Sequence, residues 1–305
     1  MPMADLKVKI AGVEFHNPLI AASGAFGFGR EYGEMYPISA FGGISCKGTT
    51  REPRQGNPAP RITETPSGML NAVGLQNPGI EHFIKEDLPW LEKQNLRIIA
   101  NIAGNEYEDY CAVAEMLNST AVDMVELNIS CPNVKKGGVQ FGTSAEGVFG
   151  ITEAVRKVCQ KPLIVKLSPN VSDIGEVAIA AEQAGADAIS LINTLTGMRI
   201  DIHSRRPIIR NNTGGLSGPA VFPVALRMVW QAAQKVKIPI IGLGGIASWQ
   251  DAVEMLLAGA SALQIGTAIF TDPYIAQKIT KGLEEYLDQN NIESVTELTG
   301  GIRPW

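Results

Sequence analysis

Lys161-Pro-Leu-Ile-Val-Lys166, then a helical segment from Ile174 to Ala184, then Gln183-Ala-Gly-Ala-Asp-Ala-Ile189 reads as strand, helix and the start of another strand. The first run is apolar and β-branched, bounded by proline and charge, and too short for a helix, which marks a strand buried on both faces. The phrase returns: Ile238-Pro-Ile-Ile-Gly242 echoes the first run, and Leu257-Ala-Gly-Ala-Ser-Ala-Leu263 echoes the second. Working outward, similar runs occupy residues 18–23, 42–47, 97–101, 123–128, 162–166, 187–193, 239–244 and 262–266. Helical periodicity fills 106–117, 145–158, 174–184, 221–236 and 249–257. Cap signals agree: Asn105 and Glu108 have capping-box spacing, as do Ser248 and Asp251, while Gly185 and Gly259 follow their helices.

Eight strands alternating with helices predict an α/β fold of the (β/α)8 TIM-barrel type, a single domain over residues 1–305. The residues beyond a minimal barrel have places to go. Residues 6–15 predict an N-terminal hairpin around Ala11-Gly12 that closes the barrel bottom, and residues 49–80 and 194–220 predict long loops after strands two and six. A doubly wound dinucleotide-binding sheet is the competing fold, but no GxGxxG follows an early strand.

Composition narrows the function classes. With 45% hydrophobic and 19% charged residues the chain carries enough apolar material for a large core, and a net charge of −5 gives no support for a broad nucleic-acid surface. The first residues lack the order of a secretory signal and no apolar run approaches a bilayer's thickness, so a cytoplasmic protein without membrane attachment is expected. Cys46, Cys111, Cys131 and Cys159 form no CxxC pair, and His16, His82 and His203 stand apart, so neither a disulfide framework, a metal centre nor a Ser-His-Asp triad is expected.

Barrel chemistry sits where strands end. Those positions are Ser23, Lys47, Asn101, Asn128, Lys166, Asn193, Gly244-Gly245 and Gly266-Thr267. Any one of them is compatible with an ordinary loop start, but two lysines and three asparagines on one rim point to an anionic ligand, with a Schiff-base lysine as the rival reading. The glycines after strands seven and eight occupy the usual phosphate position of such barrels. Gly214-Gly-Leu-Ser-Gly218 is placed to close over the same ligand. Cys131, just beyond strand four and followed by Pro132, is the candidate acid/base or nucleophile, whereas Cys111 and Cys159 read as small core residues. Glu126 lies inside strand four and reads as an inward partner for a lysine rather than a catalytic group.

These motifs in combination resemble class 1 dihydroorotate dehydrogenases, most closely the catalytic subunit of the class 1B, NAD-linked form. The resemblance rests on Asn17-Pro-Leu-Ile-Ala-Ala-Ser-Gly24, Lys47-Gly48, Asn57-Pro-Ala-Pro-Arg61, Asn71-Ala-Val-Gly-Leu-Gln-Asn-Pro-Gly79, Asn128-Ile-Ser-Cys-Pro-Asn133, Lys166-Leu-Ser-Pro-Asn170, Asn193-Thr194, Gly214-Gly-Leu-Ser-Gly-Pro219, Gly244-Gly-Ile246 and Gly266-Thr267. It implies an FMN barrel that oxidises dihydroorotate to orotate in pyrimidine biosynthesis. Cys131 would remove the C5 proton while hydride leaves C6 for flavin N5. Lys47, Asn71, Ala72, Val73, Gly74, Leu75, Asn128, Asn193 and Thr194 would hold the substrate. Ser23, Lys47, Gly48, Asn101, Asn128, Lys166, Ile192, Gly218, Gly244, Gly245, Gly266 and Thr267 would hold FMN.

The class 1B pattern further implies an electron-transfer subunit carrying FAD and a 2Fe-2S cluster, two of each subunit in a heterotetramer, and NAD+ as acceptor. A fumarate-using homodimer fits the missing cluster ligands equally well. Two rivals remain at this stage: a dihydropyrimidine dehydrogenase-like flavin enzyme, and a lyase using Lys166 or Lys47. A non-catalytic phosphate-binding module leaves Cys131 without a role.

Overall fold

The computed structural model describes residues 4–129 and 139–305. Eight strands close into one parallel barrel in chain order: β1 (Leu19–Ala21), β2 (Gly43–Ser45), β3 (Arg97–Ile102), β4 (Met124–Asn128), β5 (Leu163–Lys166), β6 (Ala188–Leu191), β7 (Ile240–Leu243) and β8 (Ala262–Ile265). Closure is made by β8 against β1, with Ile265 opposite Ala21. Each strand is short and buried, with helices outside and side chains inside, which is why its sequence runs apolar instead of alternating.

The helices form where periodicity and caps coincide. Residues 145–158 bury Val148, Ile151, Thr152 and Val155, one stripe at helical spacing, and Ser144 accepts the Gly147 N–H at the start. Asp173 caps the helix Ile174–Gln183, and Ser248 caps Trp249–Leu257. Gly185 and Gly259 follow with φ of 94° and 120°, the left-handed turn that ends a helix without a Cβ penalty. The expected Asn105/Glu108 box is shifted by one residue. Glu106 is the N-cap and Asp109 completes the box, so the longer acidic side chain does the work assigned to asparagine.

The predicted hairpin is present as Val8–Ile10 paired with Val13–Phe15, turning through Ala11 and Gly12 at φ 47° and 87°. It closes the bottom of the barrel: Phe15 is fully buried, and a Cβ on Gly43 would lie 2.7 Å from its ring. The two long loops are more ordered than the sequence reading expects. Ile62–Thr65, Gly68–Asn71, Gly214–Ser217 and Leu195–Gly197 form a four-stranded antiparallel sheet at the opposite end, with Gly215 opposite both Asn71 and Thr196. Their strands are only three or four residues long and three of the four contain glycine, so they carry little strand signal of their own. A helix at Ile275–Gln289, also absent from the sequence reading, completes the outer layer.

Candidate active site

The site is built from the strand ends inward. Midway down the barrel, the fully buried carboxylate of Glu126 on β4 is met by donors from four other strands. Ser45 Oγ and Asn101 Nδ2 donate to Oε2 at 2.6 Å each, while Ser190 Oγ and Gln264 Nε2 donate to Oε1 at 2.7 Å each. Burial alone would raise this carboxyl's pKa, but the nearby Lys166 charge and the Ser45, Ser190 and Gln264 hydrogen bonds overcome it and hold the pKa below its ordinary value. Glu126 therefore points inward as expected, yet it forms no ion pair: no cationic nitrogen among the described residues lies within 4.0 Å of it.

From that carboxylate a line of amides climbs to the mouth. Asn101 Oδ1 accepts from Asn128 Nδ2 at 3.3 Å, and Asn128 Oδ1 accepts from Asn193 Nδ2 at 3.4 Å. Asn193 Oδ1 then accepts the Thr194 N–H at 2.8 Å. Alternation explains the alignment, because Glu126 and Asn128 are two apart on β4 and share the inner face. Asn128 sits in register with Lys166 on β5. Tyr110, wholly buried, fixes the Asn128 carbonyl at 3.1 Å, and Asn170 fixes the Thr194 carbonyl at 3.0 Å.

The remaining predicted residues gather around this line. A Cβ on Gly48 would lie 2.9 Å from Asn101 Oδ1, 3.5 Å from Leu75 and 3.9 Å from Asn128, so the absence of a side chain lets the chain pass close to the amides. Asn71 Nδ2 reaches the Gly215 carbonyl at 3.5 Å, and any Cβ on Gly215 would collide with Thr194, which brings 71 and 194 to one wall. The Asn57 side chain holds the carbonyl of Ala72 at 2.9 Å and its N–H donates to Val73, while Gly74 packs on the Asn57 amide. Gly218, Gly244, Gly245 and Ile192 form a second cluster, in which Gly245 faces the Gly218 carbonyl and Gly244 faces Ile192. Gly266 stands by Ala22. Ser23 and Lys47 follow β1 and β2 at the same end, and both are half-buried. Cys131 lies outside the described residues.

An anionic flavin nucleotide fits these groups. Lys166 is only 5% exposed, yet no carboxylate lies within 4.0 Å of its ammonium among the described residues. Glu126, the buried carboxylate that interacts with it, lies deeper in the barrel and beyond ion-pair distance, so the ammonium can also meet a negative group at the mouth. At the ends of β7 and β8 the N–H groups of Gly245 and Gly266 have no acceptor among the described residues, and a Cβ on Gly266 would meet only Ala22, at 3.8 Å. That combination of open space and available donors suits a phosphate. A separate cavity of about 300 Å³ bordered by His16, Ser39, Lys281 and Glu284 lies at the other end of the barrel, away from these groups.

The sequence reading passes over Ser45, Ser190, Gln264, Tyr110 and Asn170. The first three carry a signal: each is the lone polar residue inside an apolar strand, and β-alternation turns all three toward the axis. Tyr110 and Asn170 carry none, because a helix tyrosine and a loop asparagine look alike wherever they point.

Comparison with known proteins identifies the family. The family model described as Dihydroorotate dehydrogenase matches residues 5–287. A protein of Alkaliphilus oremlandii (strain OhILAs), named Dihydroorotate dehydrogenase B (NAD(+)), catalytic subunit, is 55% identical over 302 residues, covering 99% of this chain and 100% of the relative. Proteins of the same name from Thermoanaerobacter pseudethanolicus and Bacteroides thetaiotaomicron are 52% and 53% identical, each covering 98% of this chain and 99% of the relative.

Proposed function

The chain belongs to the dihydroorotate dehydrogenase family and oxidises dihydroorotate as the catalytic subunit of an NAD(+)-linked enzyme; we propose the following division of labour among its residues. The observation that carries it is the buried ammonium of Lys166, with no carboxylate partner among the described residues, beside a line of three asparagines. FMN, when bound, supplies N5 as the acceptor of hydride from substrate C6. Lys166 and Lys47 would place positive charge beside the bound ring, where it favours the reduced state. Gly218, Gly244, Gly245, Gly266 and Thr267 take the phosphate on main-chain N–H groups, with Ser23, Gly48, Asn101 and Ile192 along the rest of the molecule.

Lys47, Asn71, Asn128, Asn193 and Thr194 hold the substrate, with the 72–75 segment as its wall. Asparagine suits this task because each amide offers a donor and an acceptor, matching the alternating N–H and C=O groups of a dihydropyrimidine ring. Cys131 takes the C5 proton. It comes three residues after Asn128 in the chain.

The catalytic-subunit character implies a separate electron-transfer subunit. We assign to that subunit FAD and a 2Fe-2S cluster, in a heterotetramer of two subunits of each kind, working in the cytoplasm. Among the described residues no helix is long and apolar enough to cross a membrane.

The visible spectrum of the purified chain tests the reading. A yellow protein carrying one FMN that bleaches on anaerobic addition of dihydroorotate and yields orotate is the expected result. A colourless protein, or a flavin that dihydroorotate leaves oxidised, would overturn it.

A further inference from the structure

The function proposed above uses Lys166 but not the negative charge beneath it. Glu126 is fully buried, carries four short hydrogen bonds from neutral donors, and touches no cation among the described residues. For packing alone a neutral amide in a neutral network would do the same structural work, since buried charge is expensive. Here the surroundings instead keep the charge in place and leave it uncompensated at close range. Its nearest influence is on Lys166, one strand away, whose charge in turn lowers the carboxyl's pKa.

We infer that Glu126 is a charge-setting, positioning residue for the flavin reaction: its buried carboxylate, below Lys166 on the barrel axis, offsets part of the lysine's field at the flavin and so keeps the flavin a weaker oxidant than Lys166 alone would make it. This rests on the proposed placement of FMN at Lys166. The physical basis is ordinary Coulomb interaction between buried groups, where charges act over a barrel radius. Reduced flavin gains negative charge near the pyrimidine edge; a fixed carboxylate on the same axis opposes that gain, and a lysine favours it. The balance suits an enzyme whose electrons must leave the flavin for a nicotinamide acceptor, because a strongly oxidising flavin would retain them.

The structure also supplies a clean variant. Gln264 is 1% exposed, and its Oε1 has no hydrogen-bond partner among the described residues. In Glu126→Gln, a half-turn of the Gln264 amide would present that oxygen to the new N–H₂ group, while the carbonyl of the introduced amide would still accept from Asn101 and Ser45. The substitution therefore removes charge with little change of shape. The expected result is a variant holding one FMN, with a two-electron reduction equilibrium shifted about tenfold toward reduced flavin, about 30 mV upward. Sulfite addition to oxidised flavin, which also places negative charge on the ring, should tighten by a similar factor.

The double variant E126Q/Q264E restores one carboxylate to the same layer and should return both values toward wild type. Glu126→Met, close in volume and uncharged but without an acceptor for the four donors, is the harsher second test, and where it folds it should move the potential in the same direction. An unmoved potential in a flavin-loaded Glu126→Gln protein, or a raised potential that the double variant fails to lower, would overturn the inference. So would loss of folding and FMN in both single variants, which would make Glu126 structural. Wild-type protein without FMN would instead sink the functional reading on which this inference stands.

Discussion

Asn101 and Glu126, opposite each other on β3 and β4, are joined by a 2.6 Å hydrogen bond in which the asparagine must be the donor. An ionised carboxylate can only accept, so the Asn101 amide has a single orientation, with its Oδ1 turned up toward Asn128. The same logic passes to Asn128 and then to Asn193. The buried charge thereby sets which end of each amide faces its neighbour all the way to the mouth.

Asn101→Ala should break this line at its base. The Glu126 carboxylate loses a donor and Asn128 Nδ2 loses an acceptor, a cost of about 1–3 kcal/mol in stability. Orotate affinity is expected to fall at least about tenfold, the equivalent of one such hydrogen bond. Thermal denaturation and orotate titration of the flavin spectrum measure the two effects separately.

Cys131→Ala is expected to leave FMN bound while slowing anaerobic flavin reduction by dihydroorotate at least about a hundredfold, the usual worth of a positioned base. In the unaltered protein the reduction rate should climb with pH, because a thiol acts as a base only once ionised. Stopped-flow bleaching of the flavin across pH reads both. A Cys131→Ala protein that bleaches at the original rate would remove the residue from the mechanism.

The barrel was legible because its strands are buried on both faces, and apolar runs such as Leu163-Ile-Val165 repeat with the period of a strand-helix unit. The rim lysines and asparagines were legible for the same reason, as polar residues that end apolar runs. What stayed hidden depends on pairing between distant segments. Gly68–Asn71 is a strand only because Gly214–Ser217 lies beside it. Ser45, Ser190 and Gln264 look like isolated substitutions in apolar strands until closure of the barrel points all three at Glu126. The cap expected at Asn105 lies one residue on, since the Glu106 side chain accepts the Asp109 N–H and the Asp109 carboxylate accepts the Glu106 N–H in return.

Glu126 also gives the fold an acid limit. Its folded pKa is lowered, so its ionisation stabilises the native state above the ordinary glutamate range, and that contribution is lost as pH falls through the lowered folded value. Melting temperatures taken downward from neutral pH should therefore drop more steeply for the wild type than for Glu126→Gln, whose amide does not titrate. Parallel acid limbs for the two proteins would show that other carboxylates dominate.

Gly245→Ala tests the phosphate end. Gly245 has φ of 80°, and a Cβ there would sit 2.8 Å from the Gly218 carbonyl and 2.8 Å from both Cβ and the main-chain nitrogen of Phe222. The left-handed backbone alone costs an alanine about 1–2 kcal/mol. The clash is with main chain, which cannot rotate aside, so the loop after β7 must move away from the segment that carries Gly218. Both glycines belong to the proposed phosphate cradle, so the displacement should weaken FMN binding as well as the fold. The expected outcome is a fall in FMN affinity of at least about tenfold, or about 1.4 kcal/mol, with the melting temperature of the flavin-free protein lowered by only a few degrees. Flavin release on dilution, followed by fluorescence, measures the first, and calorimetry of the stripped protein the second. Gly266→Ala is the internal contrast. Its Cβ would meet only Ala22 at 3.8 Å, so the apo fold should be unaffected, and any loss of FMN would report the ligand's own approach to that glycine.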